Sequence, residues 1–171
     1  RLWPNSKNHQ AKQFIDFGSW TLLGKTLERT KASIFDAPVI STNKKYLKQI
    51  KQHLRKYKIN NYKIVLEPAK RNTAPAILST ALIKDIPDNQ PLMFFSADHL
   101  IEKMSIFNKA INKNKKNLSD QNIFIFGIKP SSPSSEYGYF LTKKIKGNIN
   151  KVTRFIEKPK EAKAKQIIKN K

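Results

Sequence analysis

No cysteine occurs anywhere in the chain, so disulfide frameworks, thiolate nucleophiles and cysteine-based metal sites are all excluded. Long apolar runs are missing too. None approaches the roughly 18 residues of a membrane span, and the N-terminal residues lack the pattern of a signal peptide. A soluble, cytoplasmic protein with no membrane partner is expected. Acidic residues are few, 12 against 34 Lys and Arg, which leaves a formal charge of +22. Such a charge ordinarily points to nucleic acid or another anionic surface. Arginine, however, is confined to positions 1, 29, 55, 71 and 154. Readers of bases and phosphates favour its planar fork of donors. The lysines are dispersed among many asparagines, which is the look of solvated positions under a compositional bias, so no specific nucleic-acid partner is expected. At 171 residues the chain has room for one sizeable core and reads as a single domain, residues 1–171.

What is present is a succession of strand and helix patterns. Pro91-Leu92-Met93-Phe94-Phe95-Ser96-Ala97 is a short apolar run that stops at Asp98, the signature of a strand buried on both faces of a parallel sheet. Ligands of open α/β sheets sit outside the carboxyl ends of the strands, which is where Asp98 falls. A carboxylate there suits Mg²⁺, a hard ion that takes oxygen ligands at about 2.0–2.1 Å. Asp98 also fits the N-cap of a following helix.

Other segments read as follows. Helical character runs from Trp20 to Thr30, with Leu22, Leu23 and Leu27 on one face. Pro38 to Ser41 is a short strand, and Thr42 or Asn43 caps a helix whose apolar face is Leu47, Ile50, Leu54 and Tyr57. Tyr62 to Leu66 is a strand. Asn72 or Thr73 caps an Ala- and Leu-rich helix running to about Ile86, expected to be buried, with Pro75 in its first turn. A lysine-rich helix from about Ser105 to Leu118 precedes an apolar strand, Asn122 to Ile128. Strands at Tyr137 to Thr142 and Val152 to Ile156 and a closing helix, Glu161 to Lys169, complete the pattern. Alternating strands and helices predict βαβ units, an α/β fold with a mostly parallel sheet flanked by helices.

Reactive and anion-binding residues gather just past strand ends. Glu67 and Arg71 follow one strand, Asp98 the next, and Glu157 and Lys158 another, while Arg1 and Lys12 lie in the opening loop. That recurrence predicts a crevice holding a polyanion beside a polar substrate. Arg1 and Lys12 are cations for a polyphosphate. The helix start at Asn72 offers free N–H groups. Glu67 is a pure acceptor able to take the N1–H and amine of a guanine. Gly138 lets a ligand approach the backbone. Glu157 accepts sugar hydroxyls and Lys158 a phosphate. Singly, each also fits a surface ion pair or a turn glycine.

EPAKRNTAPAI (Glu67 to Ile77) resembles a signature of the mannose-1-phosphate guanylyltransferases, within the sugar nucleotidylyltransferase superfamily. So do RLWPNS with KQF (Arg1 to Phe14), FFSADH (Phe94 to His99), FGIKPSSPSSEYGYF (Phe126 to Phe140) and VTRFIEKP (Val152 to Pro159). They keep the family's order and spacing, and the RNTAPA and EYGY segments are the most specific.

The resemblance implies a Rossmann-like nucleotidyltransferase fold that joins GTP to mannose 1-phosphate with Mg²⁺, giving GDP-mannose and pyrophosphate. It implies catalytic roles for Arg1, Lys12 and Asp98, with Asp98 the metal ligand. The guanine site would be Glu67, Arg71, Asn72, Thr73 and Ala74, and the sugar-phosphate site Tyr137, Gly138, Glu157 and Lys158. The family's Gly-rich phosphate loop would precede Arg1, and a second metal-binding Asp would follow Lys171. The chain therefore reads as an internal fragment, incomplete at both ends and inactive alone, from an enzyme that could be a homo-oligomer. Ala11 stands where the family usually has Pro. Two alternatives are another sugar-1-phosphate nucleotidylyltransferase and a non-catalytic polyanion-binding fragment.

Overall fold

A computed structural model describes residues 11–69, 72–147 and 149–169. They fall into two compact units, divided between residues 122 and 123. In the first, a 3-10 turn at Lys12–Phe14 leads to α1 (Leu22–Arg29), then β1 (Val39–Asn43), a 3-10 turn at Lys44–Tyr46, and α2 (Leu47–Lys56). β2 (Lys63–Glu67), α3 (Thr73–Ala81) and α4 (Met104–Asn114) follow. β1 and β2 pair in parallel, Ile40 opposite Ile64 and Asn43 opposite Glu67, with α2 as the crossover between them. In the second unit, β3 (Tyr139–Lys146) and β4 (Ile149–Ile156) pair antiparallel around Gly147, and α5 (Glu161–Lys169) closes the chain. The α/β class expected from the sequence is what forms.

The local causes are legible. Thr21 caps α1 by accepting the Gly24 N–H at 3.0 Å. Asn43, in extended conformation, accepts the Lys45 N–H at 3.2 Å and starts the turn that feeds α2. Spacing of Ile50, Leu54 and Tyr57 puts them on one face of α2. There they meet Leu23 and Leu27 of α1, Phe14 and Ile59 in one buried cluster. Ile40 of β1, Ile64 of β2 and Ala97 pack against its margin. Leu54 is the most enclosed, 1% exposed, and its removal would create a cavity costing about 2–5 kcal/mol.

Three expectations are corrected. Pro91–Ala97 makes no strand ladder among the described residues, and Leu92 and Phe94 remain exposed. Asn122–Ile128 likewise makes no strand ladder among the described residues, with Ile123 and Ile128 about nine-tenths exposed. A strand exists by pairing; apolar content shows only that a segment would gain from a sheet. The helix from Asn72 ends as a helix at Ala81, short of Ile86, and is largely exposed rather than buried. Leu78 and Leu82 are 59% and 70% exposed, while Thr80 is the buried residue of α3.

Gly24 of α1 faces Tyr57 at the C-terminal end of α2: a methyl there would collide with the Tyr57 ring and hydroxyl. That ring is buried, its hydroxyl has no partner among the described residues, and it stacks on His53. It has little room to retreat. Ala for Gly inside a helix gains roughly 0.5–1 kcal/mol in propensity, whereas overpacking costs about 1–3 kcal/mol. Gly24→Ala is therefore expected to lower the urea midpoint despite the better helix former. A raised midpoint would show that Tyr57 relaxes freely.

Candidate active site

Lys12 and Asp98 meet. The ammonium of the opening turn forms an ion pair with Asp98 Oδ2, and Ser96 Oγ donates to Asp98 Oδ1 at 2.6 Å. Phe14, two residues after Lys12, is anchored in the core, and Ala97, immediately before Asp98, packs against it. Both partners thus project from backbone fixed by the same cluster. The Asp98 side chain is 15% exposed and that of Lys12 52%. Burial by itself pushes the Asp98 carboxyl up. The Lys12 ammonium, the Ser96 hydroxyl and nearby His99, whose Nε2 lies 4.0 Å from Oδ1, outweigh it, and the carboxyl falls below its ordinary value. Asp98 lies in a turn and caps no helix; α4 begins at Met104 without a side-chain cap.

Glu67 closes β2 beside the end of β1. Ser41 Oγ donates to its Oε1 at 2.7 Å, and the Asn43 side-chain amide donates to its backbone carbonyl at 3.2 Å. The carboxylate is thereby held at the carboxyl end of the parallel pair, the position the sequence suggested. Asn72 occupies the cap position of α3 with φ 66°, in the left-handed region, and makes no side-chain cap bond. The first N–H groups of α3, at Thr73 and Ala74, have no i−4 partner within the helix. Arg1 and Arg71 lie outside the described residues.

In the second unit Gly138 allows a close approach. A Cβ there would collide with the Phe155 ring and stand 3.1 Å from Glu157 Oε2. Next to it, Tyr139 is buried; its hydroxyl donates to the Ser134 carbonyl at 3.1 Å and accepts the Ser134 N–H at 2.9 Å, pinning the serine-rich loop. Tyr137 is 70% exposed. Glu157 and Lys158 are both exposed, their charged groups 3.9 Å apart, and Lys158 has φ 38°. The structure thus brings together Lys12 with Asp98, Gly138 with Glu157, and Glu157 with Lys158.

No cluster of three or more His, Asp or Glu side chains capable of enclosing a metal ion occurs among the described residues. One carboxylate still fits Mg²⁺, which keeps several waters and is held by one or two carboxylates plus substrate phosphates. Two shallow concavities, one beside Trp20 and Lys25, the other along Lys44, Lys48, Lys51 and Arg55, contain none of the site residues above. The α2 lysines present their charges to solvent, as dispersed surface lysines do.

Sequence reasoning passed over Arg29, Ser41 and Ser96. Arg29 is 3% exposed and donates to the His99 carbonyl. Its signal was available: Leu22, Thr26 and Arg29 recur at i, i+4 and i+7, which sets the arginine on the inward face of α1.

Residues 1–170 match the model of a family described as Nucleotidyl transferase. The chain is 38% identical over 172 residues to mannose-1-phosphate guanylyltransferase 2 of Escherichia coli O157:H7, an alignment covering 93% of this chain and 36% of that protein. It is 31% identical to the alginate biosynthesis protein AlgA of Pseudomonas aeruginosa, across 98% of this chain and 36% of the relative. Among solved structures it resembles one from Thermus thermophilus described as a mannose-1-phosphate geranyltransferase. The TM-score is 0.76 at 26% identity, with 98% of this chain and 49% of that chain covered. A mannose-6-phosphate isomerase from Helicobacter pylori gives a TM-score of 0.75 at 29% identity, covering 94% and 62%. The chain spans little more than a third of the length of these curated relatives. With a single family model running through almost all of its residues, the chain belongs to the nucleotidyl transferase family.

Proposed function

We propose that the protein containing this chain transfers GMP from GTP to mannose 1-phosphate, releasing pyrophosphate, and that residues 1–171 form part of its nucleotidyltransferase domain. The observation that carries this reading is the pairing of Lys12 with Asp98 at the Ser96–His99 turn. A cation and a carboxylate held together are what a nucleotide triphosphate and its counter-ion need at one place: the ammonium for phosphate oxygens, the carboxylate for Mg²⁺. Relatives named for mannose 1-phosphate guanylyl transfer support the choice of substrates.

The reaction requires no side-chain nucleophile. A phosphate oxygen of the sugar phosphate attacks the α-phosphorus of GTP, the bond from that phosphorus to the bridging oxygen breaks, and pyrophosphate leaves with the electron pair. The protein's part is to align two anions and neutralise the charge that builds on them. Lys12 and Arg1 offset the phosphate charge. Asp98 would hold Mg²⁺, which supplies further neutralisation at the phosphates when bound. Glu67, with one oxygen fixed by Ser41, accepts the N1–H and amine of guanine, while Arg71 and the free N–H groups at Asn72, Thr73 and Ala74 complete the nucleotide site. Tyr137, Gly138, Glu157 and Lys158 receive the sugar phosphate. No nucleic acid or membrane partner is proposed, the cytoplasm is the compartment inferred, and a homo-oligomer is compatible with this chemistry.

The direct test is pyrophosphate release by the full-length protein with mannose 1-phosphate and each of GTP, ATP, UTP and dTTP. GTP should be preferred, and equal use of all four would refute the guanine site. Asp98→Asn is expected to lower kcat by about 10²-fold or more with an unchanged far-UV spectrum; near-normal turnover would remove Asp98 from the reaction. Glu67→Gln removes a charged acceptor and should raise the KM for GTP by about tenfold while sparing that for ATP. Because its folded pKa is lowered, Asp98 stays anionic as pH falls from neutrality to about 5, and protonates only as pH falls through that depressed value. The kcat profile over that interval should carry no limb that Asp98→Asn abolishes.

A further inference from the structure

Arg29 is a buried cation that the proposed reaction does not use. It lies 3% exposed at the last turn of α1, and no carboxylate pairs with it among the described residues. Burying an unpaired guanidinium is costly, and burial here lowers its pKa. Such a group persists where fixed dipoles replace its water. Nη2 donates to Thr26 Oγ1 at 2.7 Å, and that hydroxyl donates on to the Leu22 carbonyl at 3.1 Å. Nη1 donates to the His99 carbonyl at 2.9 Å. The guanidinium carbon stands 5.5 Å from the centroid of Phe95. Phe95 is wedged in turn between Phe35 and Phe107, at 5.4 and 6.0 Å between centroids.

The two tertiary contacts of this one planar group fall on either side of Asp98. Phe95 precedes it by three residues and His99 follows it directly. Between them the backbone turns without a strand ladder to fix it. We propose that Arg29 is the positioning residue for Asp98: by gripping Phe95 and the His99 carbonyl together, it sets the Ser96–His99 turn and with it the carboxylate that meets Lys12. This rests on the reading of Asp98 given above, and it assigns to α1 a share in the reaction. A planar fork is needed because one nitrogen must reach Thr26 while another reaches His99; an ammonium is a point charge on a flexible stem and cannot span both with fixed geometry.

The test uses the full-length protein with Arg29→Met and Arg29→Lys. Backbone amide NMR order parameters are read first, since they need no activity. Order parameters across Ser96–Leu100 should fall in Arg29→Met to below about 0.6, while those of α2 stay near the rigid value of about 0.85. Kinetics come second. A misplaced carboxylate should lower kcat by about 10- to 100-fold and raise the half-saturating Mg²⁺ concentration, with the KM for mannose 1-phosphate unchanged. Arg29→Lys, which keeps the charge and loses the fork, should recover little of either. Unchanged order parameters at Ser96–Leu100 would overturn the proposal, as would full rescue by Lys. A fall in thermal midpoint with normal kcat and normal Mg²⁺ dependence would do the same, because it would leave Arg29 a purely structural role. If the wild-type protein showed no guanylyl transfer, the proposed function would fail, and the order parameters would still decide whether Arg29 sets the turn.

Discussion

Packing of α1 against α2 over the β1–β2 pair is the constraint on which the first unit depends. Seven residues, from Phe14 to Ile59, supply that cluster, and Gly24 lets the two helices close on Tyr57. The consequence reaches beyond stability. Phe14 anchors the turn that presents Lys12, Ala97 seats the turn that presents Asp98, and α1 carries Arg29 to the same place. Three charged groups far apart in sequence thus share one apolar support. Had the helices packed a methylene further apart, the ion pair would be the first casualty, because neither partner has a ladder of backbone hydrogen bonds to hold it.

Electrostatics at the turn follow from this support. Partial burial by itself raises the pKa of the Asp98 carboxyl; the Lys12 ammonium and the Ser96 hydroxyl reverse the balance and bring it below its ordinary value. The high lysine content elsewhere obeys different physics. Lys44, Lys48 and Lys51 on and just before α2 make no ion pair among the described residues, and all three are exposed. Net charge says little about function here; placement at the end of apolar, core-anchored backbone says more.

Much of the fold was legible from periodicity and caps. α5 runs from Glu161 to Lys169 as its pattern reads, α2 presents Ile50, Leu54 and Tyr57 inward, and β1 and β2 differ from expectation only at their ends. What was not legible depends on partners. The runs ending at Asp98 and Ile128 are apolar enough for a sheet, yet pairing is a property of two segments and cannot be read from one. The α3 pattern, rich in Ala and Leu, indicates a surface that gains from cover without saying what covers it. Of the candidate site, the placement of Lys12 and Asp98 at turns and of Glu67 at a strand end was legible in the sequence. Arg29 was obscured by its charge, since a basic residue on an amphipathic helix is ordinarily assigned to the solvated face. Only its spacing from Leu22 and Thr26 contradicted that, and hydrogen-bond partners far along the chain explain it.

Under the proposed function, nucleotide phosphates are received at the Lys12–Asp98 turn and the base at the end of β2. Backbone amide chemical shifts of the full-length protein, followed through a titration with GTP and Mg²⁺, test it directly. The expected result is saturable shifts concentrated at Lys12, at Ser96–Leu100 and from Glu67 through Ala74, with inorganic polyphosphate reproducing only the first two groups. Shifts confined to the lysine face of α2, equal for GTP and polyphosphate and erased by moderate salt, would contradict it and leave a surface that attracts anions without recognising a nucleotide.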